Sequence, residues 1–406
     1  MVEILSRITI INQYLLPFEQ RPNSRHLQIA KFFELKGHEV TLVCASHHHL
    51  KKSYHVSLSK SSASCKTLQI KTGAYSSNGR IGRILSWLVF AFKLCFLKFG
   101  SAPPNVVIVS SPSLVSCLAA ELLAKRVGAK FVFEFRDIWP DTIIEIGKIS
   151  RFNPGIWLLG KIEKRAIMRS DYIIHSMEGG KNYVETKFGC GFKCIWIPNG
   201  ECDTKPIKPK STVKSLSPFI FRSKDNFIVS YLGSFGLANS IDTIIKSAII
   251  LRSHKTIKFV LVGSGPLKEK IVDQIHQNNL ENVHVLPYAT SDQARLILES
   301  SSAAIICWKN LGIYSYGTSA AKFSTYLKAG KPIIQAYSGS YDHVKEFNLG
   351  GSAPAENAEA LADQILKLSA MSFEELQGYG SRSRSLYEST FRYSEILKRL
   401  ERIFES

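Results

Sequence analysis

The strongest constraint on this chain is an alternation that occurs twice. Short apolar runs and stretches of helical periodicity follow one another through residues 8–197, and again through residues 227–368. In the first array the apolar runs lie at 8–12, 37–46, 106–110, 131–135, 172–175 and 194–197. Helical patterns begin at Ser24 (Leu27, Ala30, Phe33 and Leu35, ended by Gly37), run from Pro112 and Ser113 through residue 127, and carry residues 161–168. In the second array the runs are 227–232, 257–262, 283–286, 303–307 and 332–336, with helical patterns at 241–252, 267–277, 293–300 and 320–329. Amphipathic helices near 357–368 and from Phe373 onward close the chain. Residues 47–79 are irregular, with room for one strand. Uniformly apolar runs suit strands buried on both faces, and strand–helix–strand alternation winds such strands into parallel sheets. The expected fold class is α/β, with two doubly wound parallel-sheet domains at residues 1–201 and 202–385. The Lys-, Ser- and Pro-rich residues 202–226 read as a linker or long loop between the arrays. Ligands of such sheets lie beyond the carboxyl ends of the strands, so the cleft between two such domains is the expected site.

Composition narrows the function. Eight cysteines are scattered without a CxxC pair, and Cys190 and Cys194 have the wrong spacing for zinc. That favours reduced thiols in a cytoplasm and no metal. His47, His48 and His49 are adjacent, and adjacent side chains converge poorly on one ion, so they read as a loop after a strand. The opening MVEILSRITIIN has no cleavage region and reads as a first strand. The net charge of +19 is uneven: between Glu39 and Glu121 there is no acidic residue at all. That span contains ILSWLVFAFKLCFL (84–97), flanked by Arg80, Arg83 and Lys98. It is too short to cross a bilayer, which takes roughly 20 apolar residues. It fits either a buried core helix or a helix lying in an anionic membrane interface, with Trp87, Phe90 and Phe92 entering the lipid. No aromatic-interleaved basic module marks nucleic-acid binding, and no nucleic-acid partner is expected.

The chemistry concentrates in YGTSAAKFSTYLKAGKPII (316–334). It reads as a loop, a helix capped by Ser319 and ended by Gly330, and a buried strand after Pro332. Lys322 falls in the helix's first turn, where a cation opposes the helix dipole. A phosphate between Lys322 and the helix start would reverse that sign. A solvated surface lysine is the plain alternative. Two further loops follow strands: Gly233-Ser234-Phe235-Gly236 and Gly263-Ser264-Gly265-Pro266. With the loop at 312–319 that holds Gly317, they would let backbone N–H groups approach a diphosphate. None is a GxGxxG or a Walker loop, which disfavours NAD and ATP.

The order RHLQIAKFFELKGHEVTLVCASHHH, FRDIWPD, IPNG, YLGSFGLANSIDTII, VLVGSGP and AAKFSTYLKAGKPII resembles a bacterial GT-B glycosyltransferase of family 4. Within it the chain looks most like the L-fucosamine transferase-like subgroup of O-antigen and capsule assembly. The resemblance implies two Rossmann-like domains facing a cleft, with residues 386–406 crossing back onto the first. It implies a UDP-sugar donor held by the second domain and a lipid-linked saccharide acceptor held by the first. It also implies retaining, metal-independent transfer without a cofactor, the UDP-sugar being a substrate, by a cytoplasmic protein peripheral on the inner face of the membrane. The donor sugar is expected to be of the N-acetylhexosamine type. Carried onto this sequence, the donor side comprises Gly233, Ser234, Gly236, Asn239, Gly263, Gly265, Pro287, Tyr288, Gly317, Ser319 and Thr325, with Lys322 as the main cation. Ser234 and Asn239 stand where many relatives have Arg and Lys. Thr325 stands where relatives carry an acidic residue for the ribose, and Ala320-Ala321 replace a common Pro-Asn.

Asp137, in Arg136-Asp137-Ile138-Trp139-Pro140-Asp141, follows a strand and is the candidate to orient a donor hydroxyl or take the acceptor's proton. A loop-fixing pair with Arg136 is the alternative. Arg25, His26, Arg136 and Asn199 are assigned to the acceptor or diphosphate side, Arg25 and His26 being equally readable as helix-start residues and Asn199 as a turn residue. His175 reads as a satisfied hydrogen-bonding histidine. A non-catalytic relative that binds a glycolipid or a partner transferase is the second reading, with Thr325 as its sign. A sugar-nucleotide epimerase lacks the acidic and histidine residues it would need.

Overall fold

The computed structural model describes residues 5–15, 24–46, 65–73, 80–99, 102–202, 226–287 and 289–404. His47, His48, His49, Tyr288 and nearly all of the linker at 203–225 lie outside these residues. The chain divides into two compact units, one of residues 1–199 with 396–406 and one of residues 200–395.

The first unit is built from β1 (Arg7–Ile11), α1 (Arg25–Leu35), β2 (Glu39–Ala45), β3 (Cys65–Ile70), α2 (Arg80–Cys95), β4 (Val106–Ser110), α3 (Leu114–Val127), β5 (Lys130–Phe135), α4 (Asp141–Gly147), α5 (Pro154–Arg169), β6 (Tyr172–His175), α6 (Gly180–Phe188) and β7 (Cys194–Trp196). The seven strands are parallel in the order β3-β2-β1-β4-β5-β6-β7. β4 is buried at every residue, as expected of a central strand covered on both faces.

The second unit runs β8 (Phe227–Leu232), α7 (Ile241–Ile250), β9 (Ile257–Val262), α8 (Lys268–Gln277), β10 (Val283–Leu286), α9 (Ser291–Glu299), β11 (Ala303–Cys307), α10 (Ala321–Ala329), β12 (Ile333–Ala336), α11 (His343–Glu346), β13 (Gly350–Ala353), α12 (Ala358–Ser369) and α13 (Phe373–Leu386). Its six strands are parallel in the order β10-β9-β8-β11-β12-β13. Alternate residues of each central strand enter two cores. Phe227, Val229 and Tyr231 join one, with Phe259 and Ile305, while Ile228 and Leu232 join the other, with Val260, Ile306 and Tyr326. This is the period-two consequence of the pleat.

Three details differ from the sequence expectations. β13 joins the second sheet as an edge strand of Gly-, Ser- and Ala-containing sequence too weakly apolar to be read as one, whereas β3 is the one strand for which residues 47–79 had room. The last helix is not continuous: α13 passes into a wide turn at Tyr387–Phe391, then the short α14 (Tyr393–Ile396) and a 3₁₀ helix at Leu397–Phe404. α10 starts at Ala321 with Ala320 as its extended N-cap residue, so Ser319 sits one residue too early to cap it. Gly330 does end the helix in the left-handed conformation, at φ 63°.

The basic helix α2 is two-faced. Ile81, Ile84, Leu85, Leu88, Phe92 and Phe96 are exposed at i, i+3, i+4, i+7 spacing, Phe92 at 68%. Phe90 and Leu94 are fully buried on the other side. Trp87 is turned inward: its indole N–H donates to the Tyr14 hydroxyl, and its ring meets Trp139 edge-on at 6.0 Å. Of Trp87, Phe90 and Phe92, then, only Phe92 is on the outer face. Among the described residues no helix is long and apolar enough to cross a membrane.

Candidate functional site

In each sheet the strand order reverses once, between β1 and β4 in the first unit and between β8 and β11 in the second. Two neighbouring strands whose connections leave in opposite directions open a crevice beyond their carboxyl ends. In the second unit that crevice holds Lys322. Its Nζ donates to Asn239 Oδ1 at 2.5 Å and to the Tyr231 hydroxyl oxygen at 3.0 Å. The ammonium lies 4.4 Å from the centre of the Tyr231 ring, at the end of β8, and 5.9 Å from that of Trp308, which follows β11. No carboxylate among the described residues pairs with it. Lys322 as a residue is partly exposed, but its charged end is enclosed by aromatic rings and neutral oxygens. Desolvation lowers its ammonium to about 7. A cation with two neutral acceptors and no counter-ion, in the first turn of α10, is arranged to receive an anion.

The first glycine loop closes around this ammonium. Tyr231 donates its hydroxyl proton to Ser234 O at 2.7 Å, and Asn239 donates Nδ2–H to the same carbonyl at 3.0 Å. Ser234 is exposed and Gly236 partly so. A Cβ added to Gly233 would stand 3.2 Å from Lys322 Nζ, so a side chain there would crowd the ammonium. The second loop does a different job. Phe235 N–H donates to Ser264 O at 2.9 Å, and Leu267 N–H returns to Phe235 O at 3.0 Å. A Cβ on Gly263 would lie 1.9 Å from Gly233 O, and one on Gly265 2.6 Å from Phe235 O. Gly263 is buried, and these two glycines let the second loop buttress the first. Pro287 is exposed after β10, and Gly317, at φ 85°, ends a 3₁₀ turn at Gly312–Tyr316 before α10.

Thr325 lies one turn after Lys322 on α10. Its hydroxyl is 2.7 Å from Glu201 Oε1 and 3.2 Å from Ala321 O. Glu201 was not legible as a partner, being 124 positions away and marked only by following the Pro198-Asn199-Gly200 turn.

In the first unit Arg25 and His26 are buried. Arg25 Nε donates to Glu134 Oε1 at 2.7 Å, and Nη1 to Pro198 O at 2.7 Å. His26 Nε2 is 2.8 Å from Glu134 Oε2, and its Nδ1 is 3.0 Å from Asn12 Nδ2. Burial alone would raise the Glu134 carboxyl, but Arg25 and His26 outweigh it and hold that group well below the usual carboxylate range. Two of the four residues assigned to the acceptor or diphosphate side thus meet the carboxylate of Glu134 on β5 inside the unit, while Arg25 Nη2 is buried without a hydrogen-bond partner among the described residues. The sequence marker was Glu134 itself, an acid inside the apolar run FVFEF. Asp137 is exposed two residues beyond β5, while the Arg136 backbone is fixed by Ser111 and Ser176 hydroxyls. Asn199 is buried at the end of the unit. His175 is buried and bonded through Nδ1 to Met177 O, with burial lowering its pKa to about 4, so it is a neutral structural histidine. Among the described residues no group of His, Cys, Asp and Glu side chains is placed to hold a metal ion.

Residues 214–385, most of the second unit, match the family described as Glycosyl transferases group 1. No curated protein matches the chain in sequence. Solved structures do match over almost its whole length. Sucrose-phosphate synthase from Thermosynechococcus elongatus is similar at TM-score 0.75 and 15% identity, covering 98% of each chain. HepE of Anabaena, solved in complex with UDP and glucose, is similar at TM-score 0.66 and 12% identity, covering 99% of this chain and 100% of its own. WaaG, a glycosyltransferase involved in lipopolysaccharide biosynthesis, is similar at TM-score 0.65 and 14% identity, covering 98% and 100%. The two parallel-sheet units therefore have the GT-B architecture, and the family match over the second unit supports a glycosyltransferase.

Two substitutions test this reading of the scaffold. Arg25→Met strips a buried carboxylate of one cation and should destabilise the first unit by about 3 kcal/mol or more in urea denaturation. Adding Glu134→Gln should recover part of the loss. Gly263→Ala forces a methyl group onto Gly233 O, and strain of that kind costs about 1–3 kcal/mol. It should lower the midpoint of the second unit's transition and displace the first loop.

Proposed function

We propose that this protein is a glycosyltransferase that takes a sugar from a UDP-sugar and delivers it to a lipid-linked saccharide in surface-polysaccharide assembly. The observation that carries the reading is Lys322: an ammonium without a counter-ion among the described residues, at a helix start, in the crevice where the strand order of the second sheet reverses. A donor diphosphate there would gain the ammonium and the backbone N–H groups of the first turn of α10. As the sugar leaves, negative charge grows on the diphosphate, and the same donors stabilise it most in the transition state. Asp137 is assigned as the exposed carboxylate of the first unit that orients the reacting sugar or accepts the acceptor's proton. Neither role needs a metal or another cofactor. HepE, similar in fold, was solved with UDP and glucose, which supports the choice of a uridine nucleotide. An N-acetylhexosamine-type donor and a role in O-antigen or capsule synthesis rest on the sequence resemblance.

The acceptor's lipid gives the outer face of α2 a purpose. Six exposed apolar side chains at helical spacing, with Lys93 and Lys98 beside them and no acid between Glu39 and Glu121, suit the interface of an anionic leaflet. The protein would then work as a peripheral protein on the inner face of the cell membrane.

Each half has its own test. Lys322 should be largely neutral in the free protein at pH 8.5, above its value of about 7, and protonated when a diphosphate is bound. Its pKa is therefore raised by binding, and affinity should fall about tenfold per pH unit above 7 until the bound-state value is reached. Calorimetry of UDP binding at pH 8.5 in buffers of different ionisation heat should report uptake of close to one proton. Lys322→Ala should abolish the uptake, weaken UDP binding and depress transfer. If nothing binds among UDP, GDP, CMP, ADP and dTDP, the non-catalytic reading gains. For the membrane face, replacing Leu85, Leu88 and Phe92 by Ser should cut cosedimentation with anionic vesicles severalfold. A bound fraction equal to that of the wild type would mean that this face does not meet lipid.

A further inference from the structure

The strand order of the first sheet decides which of its helices share a face. The chain steps from β3 to β4, β4 to β5, β5 to β6 and β6 to β7 in one direction across the sheet, and from β1 to β2 in the other. Right-handed crossovers therefore put α2, α3, α5 and α6 on one face and α1 on the opposite one. In agreement, α2 packs on α3, α3 on α5 and α5 on α6. Arg165 of α5 holds Glu121 of α3 through two hydrogen bonds, at 2.6 and 3.2 Å. With neighbouring axes 8–10 Å apart, α2 and α5 flank α3 at a separation of roughly 20 Å.

The outer surface of this layer is not that of a solvated one. α6 does expose polar side chains, Lys181, Asn182, Glu185 and Thr186. α5 exposes Trp157, at 62%, and Leu158 near its start, and Phe152 stands 95% exposed in the turn before it. Around them Lys148, Arg151, Lys161 and Lys164 are exposed. The Lys161 ammonium lies 5.3 Å from the centre of the Trp157 ring, one helical turn away. Between α2 and α5, α3 exposes Leu122, Lys125 and Arg126. Across α2, α3 and α5 no acidic side chain is exposed: Glu121 and Glu163 are the two acids of these helices, and both are buried. Exposed aromatic and aliphatic side chains among basic ones, without acids, match a surface that is negative outside and apolar beneath, as an anionic lipid leaflet is. A second copy of this chain would bring the same positive charge to the contact and be repelled.

We propose that Phe152, Trp157 and Leu158, with Arg151, Lys161 and Lys164, form a second membrane anchor, so that the first unit meets an anionic leaflet at two places, α2 and the start of α5. The inference rests on the reading of this protein as peripheral on such a leaflet, and it adds a contact on the far side of α3. One helix lying in the interface leaves the unit free to roll about that helix's axis. A second contact roughly 20 Å away removes this freedom. Crossover helices run antiparallel to their strands, so the start of α5 lies beside the strands' carboxyl ends, the edge on which the crevice between β1 and β4 opens. The two anchors together hold that edge in one orientation to the headgroups.

Cosedimentation of the full chain with vesicles of phosphatidylcholine and phosphatidylglycerol in equal parts separates the two anchors. F152S/W157S/L158S should lower vesicle affinity severalfold with α2 intact. R151Q/K161Q/K164Q should lower it about fivefold per removed charge at low salt, and less as salt is raised. Combining F152S/W157S/L158S with L85S/L88S/F92S should multiply the two losses. In vesicles with brominated acyl chains, the wild type's tryptophan fluorescence should be quenched by a larger fraction than that of Trp157→Phe. That single variant carries the test should F152S/W157S/L158S lose its thermal transition. An unchanged bound fraction in folded F152S/W157S/L158S, or equal fractional quenching in W157F and wild type, overturns the anchor on α5 and leaves α2 standing. Equal affinity for vesicles of phosphatidylcholine alone overturns the choice of an anionic leaflet. No vesicle binding by the wild type overturns both anchors.

Discussion

Among the described residues the ammonium of Lys322 has no counter-ion at the point where the second sheet changes direction, and its surroundings can be read as the means of keeping it there. Taking a cation out of water is expensive unless something replaces the lost solvation. Here two neutral oxygens and the faces of Tyr231 and Trp308 replace part of it, and the lowered pKa is the measure of what they leave undone. The loop from Gly233 to Gly236 supplies the next layer, because Ser234 O fixes both Tyr231 and Asn239. Behind it, Gly263 and Gly265 bring a second loop against the backbone of the first. The result is a hydrogen-bonded seat around an ammonium that is only partly solvated by neutral groups.

The first unit contains a charged cluster of the opposite kind. Arg25 and His26 meet both oxygens of Glu134 inside the protein, and Arg25 also reaches Pro198 O. Its charges balance each other, so the cluster ties the start of α1 to β5 and to the end of the unit. The contrast separates two uses of buried charge. A closed network makes structure, whereas a charge kept short of a partner is a candidate for binding. Arg25 and His26 thus meet a counter-ion that Lys322 does not have among the described residues, although all three looked alike as basic residues near the start of a helix.

Much of this was legible because it is local. Alternating apolar runs and helical periodicity mark strands and crossovers, and uniform burial of β4 and β8 follows from covering both faces of a parallel sheet. Gly330 and Pro332 end α10 by backbone chemistry that depends on no distant residue. What was not legible is what pairs over distance. Glu134 meets Arg25 across 109 positions and Thr325 meets Glu201 across 124. The glycines after β8 and β9 look equivalent in sequence, yet one loop encloses the ammonium and the other supports it, a difference that only the packing reveals. Periodicity also could not tell which side of α2 is buried, because both sides are apolar: Phe90 and Phe92 differ in exposure only through the neighbours that the fold supplies.

Thr325 shows how reading by position can misjudge a site. Taken along the chain, an uncharged residue one turn after Lys322 looks like the loss of an acid and hence of activity. Taken in space, a carboxylate lies beside it, that of Glu201 in the segment after Gly200, 2.7 Å from the Thr325 hydroxyl. A ligand responds to where a carboxylate oxygen lies, and the backbone from which it extends matters only through how firmly it is held. The Glu201 main chain is held by two backbone hydrogen bonds, to Phe391 and Tyr393, and by the Tyr387 hydroxyl, and Lys328 secures the next carbonyl. Such a residue is positioned about as well as one on the helix itself. What position 325 presents in space is thus a hydroxyl paired with a carboxylate, which its place along the chain does not disclose.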